Sequence, residues 1–228
     1  RWGMTEKLIL FSGPMVRGIL EGKKTQTRRT VKGWPNAGTS EWQLLGFSDG
    51  VAAFRSAGER IEIKAPYSVG TRLWVRETWG VGTRPDPGDG WVDGIEYRAD
   101  VEYIADPSRD FLRLHRVETP PGVYLGDIRP GWRPSIHMPR WASRISLLVT
   151  DVRCQRLQDI TEEDARAEGA EPWPFDPEQP MTSGELGAEC PYRGGFAVLW
   201  DDINTDRGFT WYSNPWVWAY TFEVMPNE

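Results

Sequence analysis

The apolar residues of this chain fall into short runs that Gly- and Pro-rich stretches separate. Most of these runs alternate with a period of two, or are short and rich in Val, Ile and Trp, as strands are. Helical spacing is confined to three short segments, and strands do not alternate regularly with helices. These features predict an α+β fold, a small β-barrel with a few flanking helices and long loop insertions. We expect strands at 7–11, 61–64, 71–79, 143–152 and 216–224, a hairpin at 42–53, a strand pair at 94–103, and helices at 14–20, 161–168 and 196–204.

The length of 228 residues is enough for one domain with a sizeable core. We expect a single domain over 4–228, with Met4 as the natural start. The 24 Gly and 18 Pro residues concentrate in two regions, which we interpret as loop insertions at about 80–135 and 170–194.

Charge and composition exclude several functional classes. The formal net charge of −6 argues against a general nucleic-acid binder but allows a local basic pocket. Only two Cys and two His residues are present, without metal-ligand spacing, so we expect no metal and no cofactor. No apolar run approaches the roughly 18 residues of a membrane helix, which predicts a cytoplasmic protein without membrane contact.

One stretch concentrates unusual chemistry. After Gly22, the natural end of a helix, residues 23–29 hold four basic and two hydroxyl side chains in seven positions. Taken alone, such a cluster is typical of a solvated basic loop or a phosphate site. It is also where a potential nucleophile, Thr27, lies closest to a potential base, Lys24. In a flat strand these two would point to opposite faces, so their convergence requires a bend after Gly22.

Two carboxylates occupy positions that need a partner. Glu77 shares a strand face with Leu73 and Val75, so it is expected to point inward, where it needs a counter-ion or a function. Glu168 lies at the C-terminal end of a short helix that Thr161 caps. That end is unfavourable for a negative charge, which predicts a nearby cation.

The stretch Gly22-Lys23-Lys24-Thr25-Gln26-Thr27-Arg28-Arg29 resembles the signature of the ASCH superfamily, which is related to PUA domains. The segments 8–16, 73–79 and 160–165 resemble the longer ASCH proteins that are common in phages. The resemblance covers both ends and the centre of the chain, and it implies that the expected barrel is PUA-like.

One ASCH branch, the N4-acetylcytidine amidohydrolases, matches the stretch most closely in its Lys-Thr-x-Thr-x-Arg pattern. The resemblance implies a catalytic trio of Lys24, Thr27 and Glu168, with Arg29 as the final Arg of the pattern. We expect Arg29, Glu77 and Trp74 to contact substrate. Glu77 could instead be the interior partner of an Arg, and Trp74 a core anchor. The greater length, the insertions and the additional Trp residues are departures that bear on substrate preference.

Amide hydrolysis by this trio requires a neutral Lys24, since only the free amine can take the proton of Thr27. Burial and neighbouring cations would lower the pKa of Lys24, whereas a close Glu168 would raise it.

Three functions compete at this point. The first is an amidohydrolase that removes acyl groups from N4 of small cytosine nucleosides. The second is a non-catalytic module that binds RNA or a modified nucleotide, and the third is an RNA nuclease. The acidic net charge favours the first, because a nucleoside carries no phosphate. RNA therefore remains a possible but less favoured partner, and the oligomeric state is left open.

Overall fold

The computed structural model describes residues 6–33, 42–86, 90–105, 132–173 and 190–226. Their fold is mixed α+β, with mostly strands and few helices, so the predicted class is confirmed. The strands are β1 (Glu6–Leu10), β2 (Gln26–Thr30), β3 (Gln43–Ser48), β4 (Val51–Ser56), β5 (Glu59–Lys64), β6 (Arg72–Arg76), β7 (Trp79–Asp86), β8 (Gly90–Tyr97), β9 (Tyr103–Ala105), β10 (Ser146–Arg156) and β11 (Trp216–Val224). The α-helices are α1 (Gly13–Leu20), α2 (Glu162–Ala167) and α3 (Pro191–Asn204).

These strands form three sheets. The largest has the order β1-β6-β10-β11-β2, and the smaller two have the orders β3-β4-β5 and β7-β8-β9. In the largest sheet, β11 pairs antiparallel with both β10 and β2. Among the described strands none of the sheets closes on itself, so the predicted barrel is not confirmed.

The chain divides into two compact units. The first unit is built mainly from Gly18–Arg72 and Leu147–Met225. Its helices α2 and α3 pack on β11 through a buried apolar cluster. This cluster holds α2 in place beside β2, and each fully buried large side chain in it contributes roughly 1.5–3 kcal/mol. The largest members are Leu157, Ile160, Phe196, Trp200, Trp211 and Val217.

The second unit comprises mainly Leu8–Arg17 and Leu73–Ser146. Its core includes Trp79, Ile95, Tyr97 and Met138. The buried Tyr97 hydroxyl donates a hydrogen bond to the carbonyl of Ala142 at 2.9 Å.

The expectation of a loop at 80–94 is wrong, because the backbones of β7 and β8 pair as a long antiparallel hairpin. High Gly and Pro content lowers strand propensity, but propensity is weaker than cross-strand packing. Here Trp79 lies opposite Tyr97 and Val81 lies opposite Ile95. The rest of the predicted insertions lies largely outside the described residues, at 106–131 and 174–189.

The other predicted strands and helices are confirmed, with boundaries shifted by a few residues. Helix α3 begins at Pro191, earlier than the expected residue 196. The hairpin predicted at 42–53 is β3–β4, and the pair predicted at 94–103 is β8–β9. None of the helices in the described part of the chain is long and apolar enough to cross a membrane.

Two glycines with positive φ end the helices on either side of Lys24 in the sequence and in space, and only Gly169 packs against it. Helix α1 ends in a Schellman motif, in which the Gly22 amide donates to Ile19 and the Lys23 amide to Gly18. Gly22 has a φ of 71°, so the predicted helix end is confirmed. Gly169 ends α2 with a φ of 78°, and a Cβ added to it would lie 3.3 Å from Cβ of Lys24.

Gly169→Ala is expected to lower the free energy of unfolding more than Gly22→Ala. Both substitutions force a side chain into the left-handed region, at roughly 1–2 kcal/mol each. Only at Gly169 does the new methyl group also crowd Lys24, since a Cβ at Gly22 would meet nothing within 4 Å. Urea denaturation of the two variants measures the difference. Equal losses would contradict tight packing around Lys24.

Candidate active site

The structure buries Lys24 against Glu168. The Lys24 amine donates one hydrogen bond to the backbone carbonyl of Glu168 and one to its Oε2, each at 2.7 Å. The side chains are only 1% and 5% exposed. The prediction of a cation beside Glu168 is therefore confirmed, and two of the three residues assigned to the catalytic trio are in direct contact.

Arg28 joins this pair to a second carboxylate. Its Nη1 donates to Oε1 of Glu168 at 3.0 Å, and its Nη2 donates to Oδ2 of Asp164 at 2.7 Å. Asp164 also accepts hydrogen bonds from Gln26 at 2.9 Å and from Arg153. The guanidinium of Arg28 lies 5.8 Å from the ring centre of Phe196. The two carboxylates thus share one buried guanidinium.

The spacing of residues along α2 and along β2 explains why these side chains meet. Asp164 and Glu168 are four residues apart and lie on one face of α2, separated by about 6 Å along its axis. Gln26 and Arg28 are two residues apart on one face of β2, separated by about 6.6 Å. The amide of Thr25 donates to the carbonyl of Ala167 at 2.8 Å, which fixes the end of the helix against the start of the strand.

The environment lowers the pKa of both Lys24 and Glu168. Burial lowers the pKa of Lys24, and it outweighs the carboxylate of Glu168, which raises it. Arg29 and Arg28 lower this pKa further. Burial opposes ionisation of Glu168, but the charges of Lys24 and Arg28 outweigh it and hold the pKa of Glu168 below its ordinary value. Burial therefore has a larger effect on the pKa of Lys24 than the Glu168 carboxylate has.

Thr27 lies on the other face of β2 from Arg28, because side chains alternate along a strand. It is 2% exposed and lies directly opposite Tyr220 of β11. Lys24 precedes β2, so strand alternation does not set its direction, and its amide bonds to Gly18 within the turn after α1. A turn therefore follows Gly22, and it leaves the Lys24 amine on Glu168, the carboxylate that Arg28 also binds.

Arg29 shares the face of Thr27. It lies opposite Trp218 in the sheet and is half-buried. Burial lowers the pKa of Arg29, while the charge of Glu168 raises it. Arg29 in turn lowers the pKa of Lys24, so its charge is close enough to influence the buried pair.

Tyr67 and Tyr220 are residues that sequence reasoning missed. Their rings meet edge to face at 5.1 Å between centres. The hydroxyl of Tyr220 is buried, and within the described part of the chain it has no hydrogen-bond partner. The Tyr67 backbone is close enough to lower the pKa of Tyr220, but burial is stronger and raises it. The strand period at 216–224 was visible in the sequence, whereas the pairing of Tyr220 with Thr27 was not.

Glu77 and Trp74 belong to the second unit. Glu77 is 1% exposed and forms a two-point ion pair with Arg144, both distances being 3.0 Å. Arg144 also pairs with Asp100 and Glu102. Glu77 is thus the interior partner of an Arg, one of its two predicted roles. Trp74 lies against the guanidinium groups of Arg76 and Arg140. Contact of Glu77 or Trp74 with substrate stays a prediction.

A cavity of about 630 Å³ lies beside the cluster in the first unit. Charged and polar side chains of the Gly22 turn, α2 and the start of α3 line it, including Lys23, Glu163, Arg166 and Tyr192. Lys24 and Glu168 do not line this cavity. In the described residues no group of three or more His, Cys, Asp or Glu side chains could hold a metal ion.

Comparison of the chain with protein-family models, curated proteins and solved structures gave no match. The assignment of the site therefore depends on its geometry and on the resemblance of its motif.

Glu168→Gln is expected to lower the free energy of unfolding at pH 7 by about 3 kcal/mol, because it leaves Lys24 and Arg28 without their shared counter-charge. The pKa of Glu168 is depressed in the fold. The stabilisation from its charge is therefore complete above the ordinary carboxyl pKa and is lost as the pH falls through the depressed value. Urea unfolding at pH 7 and pH 3 should show that the difference in unfolding free energy between the variant and wild type is smaller at pH 3. Glu163→Gln, on the exposed side of the same helix, serves as the control and should change little at either pH.

Proposed function

We propose that this protein is an amidohydrolase that removes acyl groups from N4 of acylated cytosine nucleosides. The observation that supports this best is the buried Lys24, whose pKa is lowered and whose amine is held by two acceptors of Glu168, three residues before Thr27. A lowered pKa brings the amine closer to the neutral form that a general base requires. We also propose, on the same motif resemblance, that the fold is related to PUA-like domains.

In this mechanism neutral Lys24 takes the proton of the Thr27 hydroxyl, and Thr27 Oγ1 attacks the acyl carbonyl carbon. The carbonyl π electrons move to the oxygen, and the charge of Arg29 stabilises the resulting oxyanion. The oxyanion then collapses and the C–N4 bond breaks. The Lys24 ammonium returns its proton to N4, so cytidine leaves and Thr27 carries the acyl group as an ester.

Water completes the reaction. Neutral Lys24 takes a proton from the water, whose oxygen attacks the ester carbon. The ester bond breaks as Thr27 regains a proton, and the carboxylic acid leaves. The sum is one N4-acylcytidine and one water converted to cytidine and the acid. Glu168 has a positioning role, since its backbone carbonyl and its Oε2 each accept a hydrogen bond from the Lys24 amine.

The leaving group suits a site without a metal. The N4 amine is conjugated with the pyrimidine ring and departs more easily than an alkyl amine. The substrate carries no phosphate, which fits the net charge of −6. Arg29 is the residue proposed to contact the substrate closest to Thr27.

The direct test is incubation with N4-acetylcytidine while the ultraviolet absorption change to cytidine is followed. Thr27→Val keeps the shape of the side chain and removes the nucleophile, and Lys24→Met keeps the apolar stem and removes the base. Each is expected to lower kcat at least about a hundredfold. Thr30→Val, in the same strand, is the matched control and should keep full activity. Full activity in Thr27→Val would exclude the mechanism. Binding of the nucleoside without turnover would favour the non-catalytic module.

The pH dependence is expected to report Lys24. Because the neutral amine is the active form, kcat/KM should rise as the pH passes the pKa of Lys24, which lies below the ordinary value of 10.5. The Glu168 carboxylate raises that pKa. The residual activity of Glu168→Gln should therefore rise at a lower pH than that of wild type. A profile with the same midpoint in both proteins would rule out Lys24 as the titrating group.

A further inference from the structure

The second unit exposes large aromatic side chains close together in the chain. Trp132 is 38% exposed and Trp141 is 41% exposed, and Ile136 between them is 56% exposed. Trp is a residue type that folded chains bury to a large extent. Several such side chains on one short segment indicate a surface that contacts something else.

Arginines lie against two other Trp rings of the same unit, Trp74 and the buried Trp79. Arg76 and Arg140 lie 4.7 and 5.9 Å from the ring centre of Trp74. Arg133 lies 5.3 Å from the ring centre of Trp79, and Trp141 meets that same ring edge to face at 5.6 Å. We name the set Trp74, Arg76, Trp132, Arg133, Arg140 and Trp141 the Trp–Arg surface.

The local charge of this surface differs from that of the chain. Residues 132–146 contain three Arg and no Asp or Glu, in a protein whose net charge is −6. Arg144 pairs with Glu77, Asp100 and Glu102, three carboxylates that outnumber it, so it adds no positive charge to this surface. Arg133 and Arg140 are exposed and project from the same segment as the exposed Trp rings.

We infer that the Trp–Arg surface binds single-stranded nucleic acid. Unpaired bases stack on aromatic rings, and Arg guanidinium groups contact the phosphates between them. A duplex hides the faces of its bases, so it offers this surface only its phosphates. A guanidinium held flat against an aromatic ring is pre-organised as a planar fork of donors that suits a phosphate oxygen. Arg76 also donates one N–H to the carbonyl of Ile136 at 2.9 Å, which fixes it beside the exposed segment. The inference does not depend on the proposed hydrolase function.

The experiment measures fluorescence anisotropy of a labelled 12-nucleotide oligo-U, the matching oligo-dT and a 12-base-pair duplex at several salt concentrations. The test variants of the full chain are Trp132→Ala and the double substitution Arg133→Ala/Arg140→Ala. The control, Arg55→Ala/Arg60→Ala, removes the same charge from exposed positions in the first unit. Thermal unfolding checks that each variant is folded, and Arg133→Gln/Arg140→Gln replaces the double variant if it is not.

Wild type is expected to bind a single strand more tightly than the duplex. Each test variant should bind about tenfold more weakly, and the control should stay within about twofold of wild type. The double variant should reduce the slope of log affinity against log salt by about 1.4, since each of two lost phosphate contacts contributes about 0.7. Tighter binding of oligo-U than of oligo-dT would identify RNA as the partner, and the reverse would identify DNA.

Three results would overturn the inference. These are no binding of either single strand at low salt, equal affinity for the duplex, and equal weakening in the control. Displacement of oligo-U by poly-glutamate at equal charge concentration would likewise show that the surface accepts any polyanion. If wild type does not hydrolyse the nucleoside, these binding outcomes are unaffected, so the two proposals can fail separately.

Discussion

The ion pair between Lys24 and Glu168 is the interaction on which the first unit depends. Removing two charges from water costs several kcal/mol per ion, and only close, fully hydrogen-bonded geometry offsets that cost. Here the amine has two acceptors at 2.7 Å, and Arg28 shares the carboxylate with it. The second carboxylate, Asp164, balances Arg28 in turn. This network connects the start of β2 to the whole length of α2.

Small residues make this enclosure possible. A Cβ at Gly18 or at Gly169 would lie 3.3 Å from Cβ of Lys24, so any other residue there would push the Lys side chain outward. The close approach excludes water, and exclusion of water is what lowers the pKa of Lys24. Gly18 within α1 and Gly169 at the end of α2 therefore also shape the chemistry proposed for the amine.

Much of the local structure could be predicted because it depends on neighbours in the chain. The Thr161 cap, the helix end at Gly22 and the inward direction of Glu77 follow from capping and periodicity. The cation beside Glu168 was expected from the helix dipole alone. The hairpin of β7 and β8 was not, since pairing across strands outweighed its unfavourable composition. Arg28 was not singled out either, because its two carboxylate partners lie 136 and 140 positions away.

The sequence by itself determined where the helices end and which residues carry acid, base and hydroxyl groups. It also determined that α2 ends on an unfavourably placed carboxylate, because these properties depend on residues a few positions apart. Only the tertiary structure decided that Lys24 and Glu168 are buried together and that burial outweighs the carboxylate in setting the pKa of Lys24. It also decided that Thr27 shares its sheet face with Arg29 and Tyr220. These outcomes depend on desolvation and strand register, which arise when distant segments pack together.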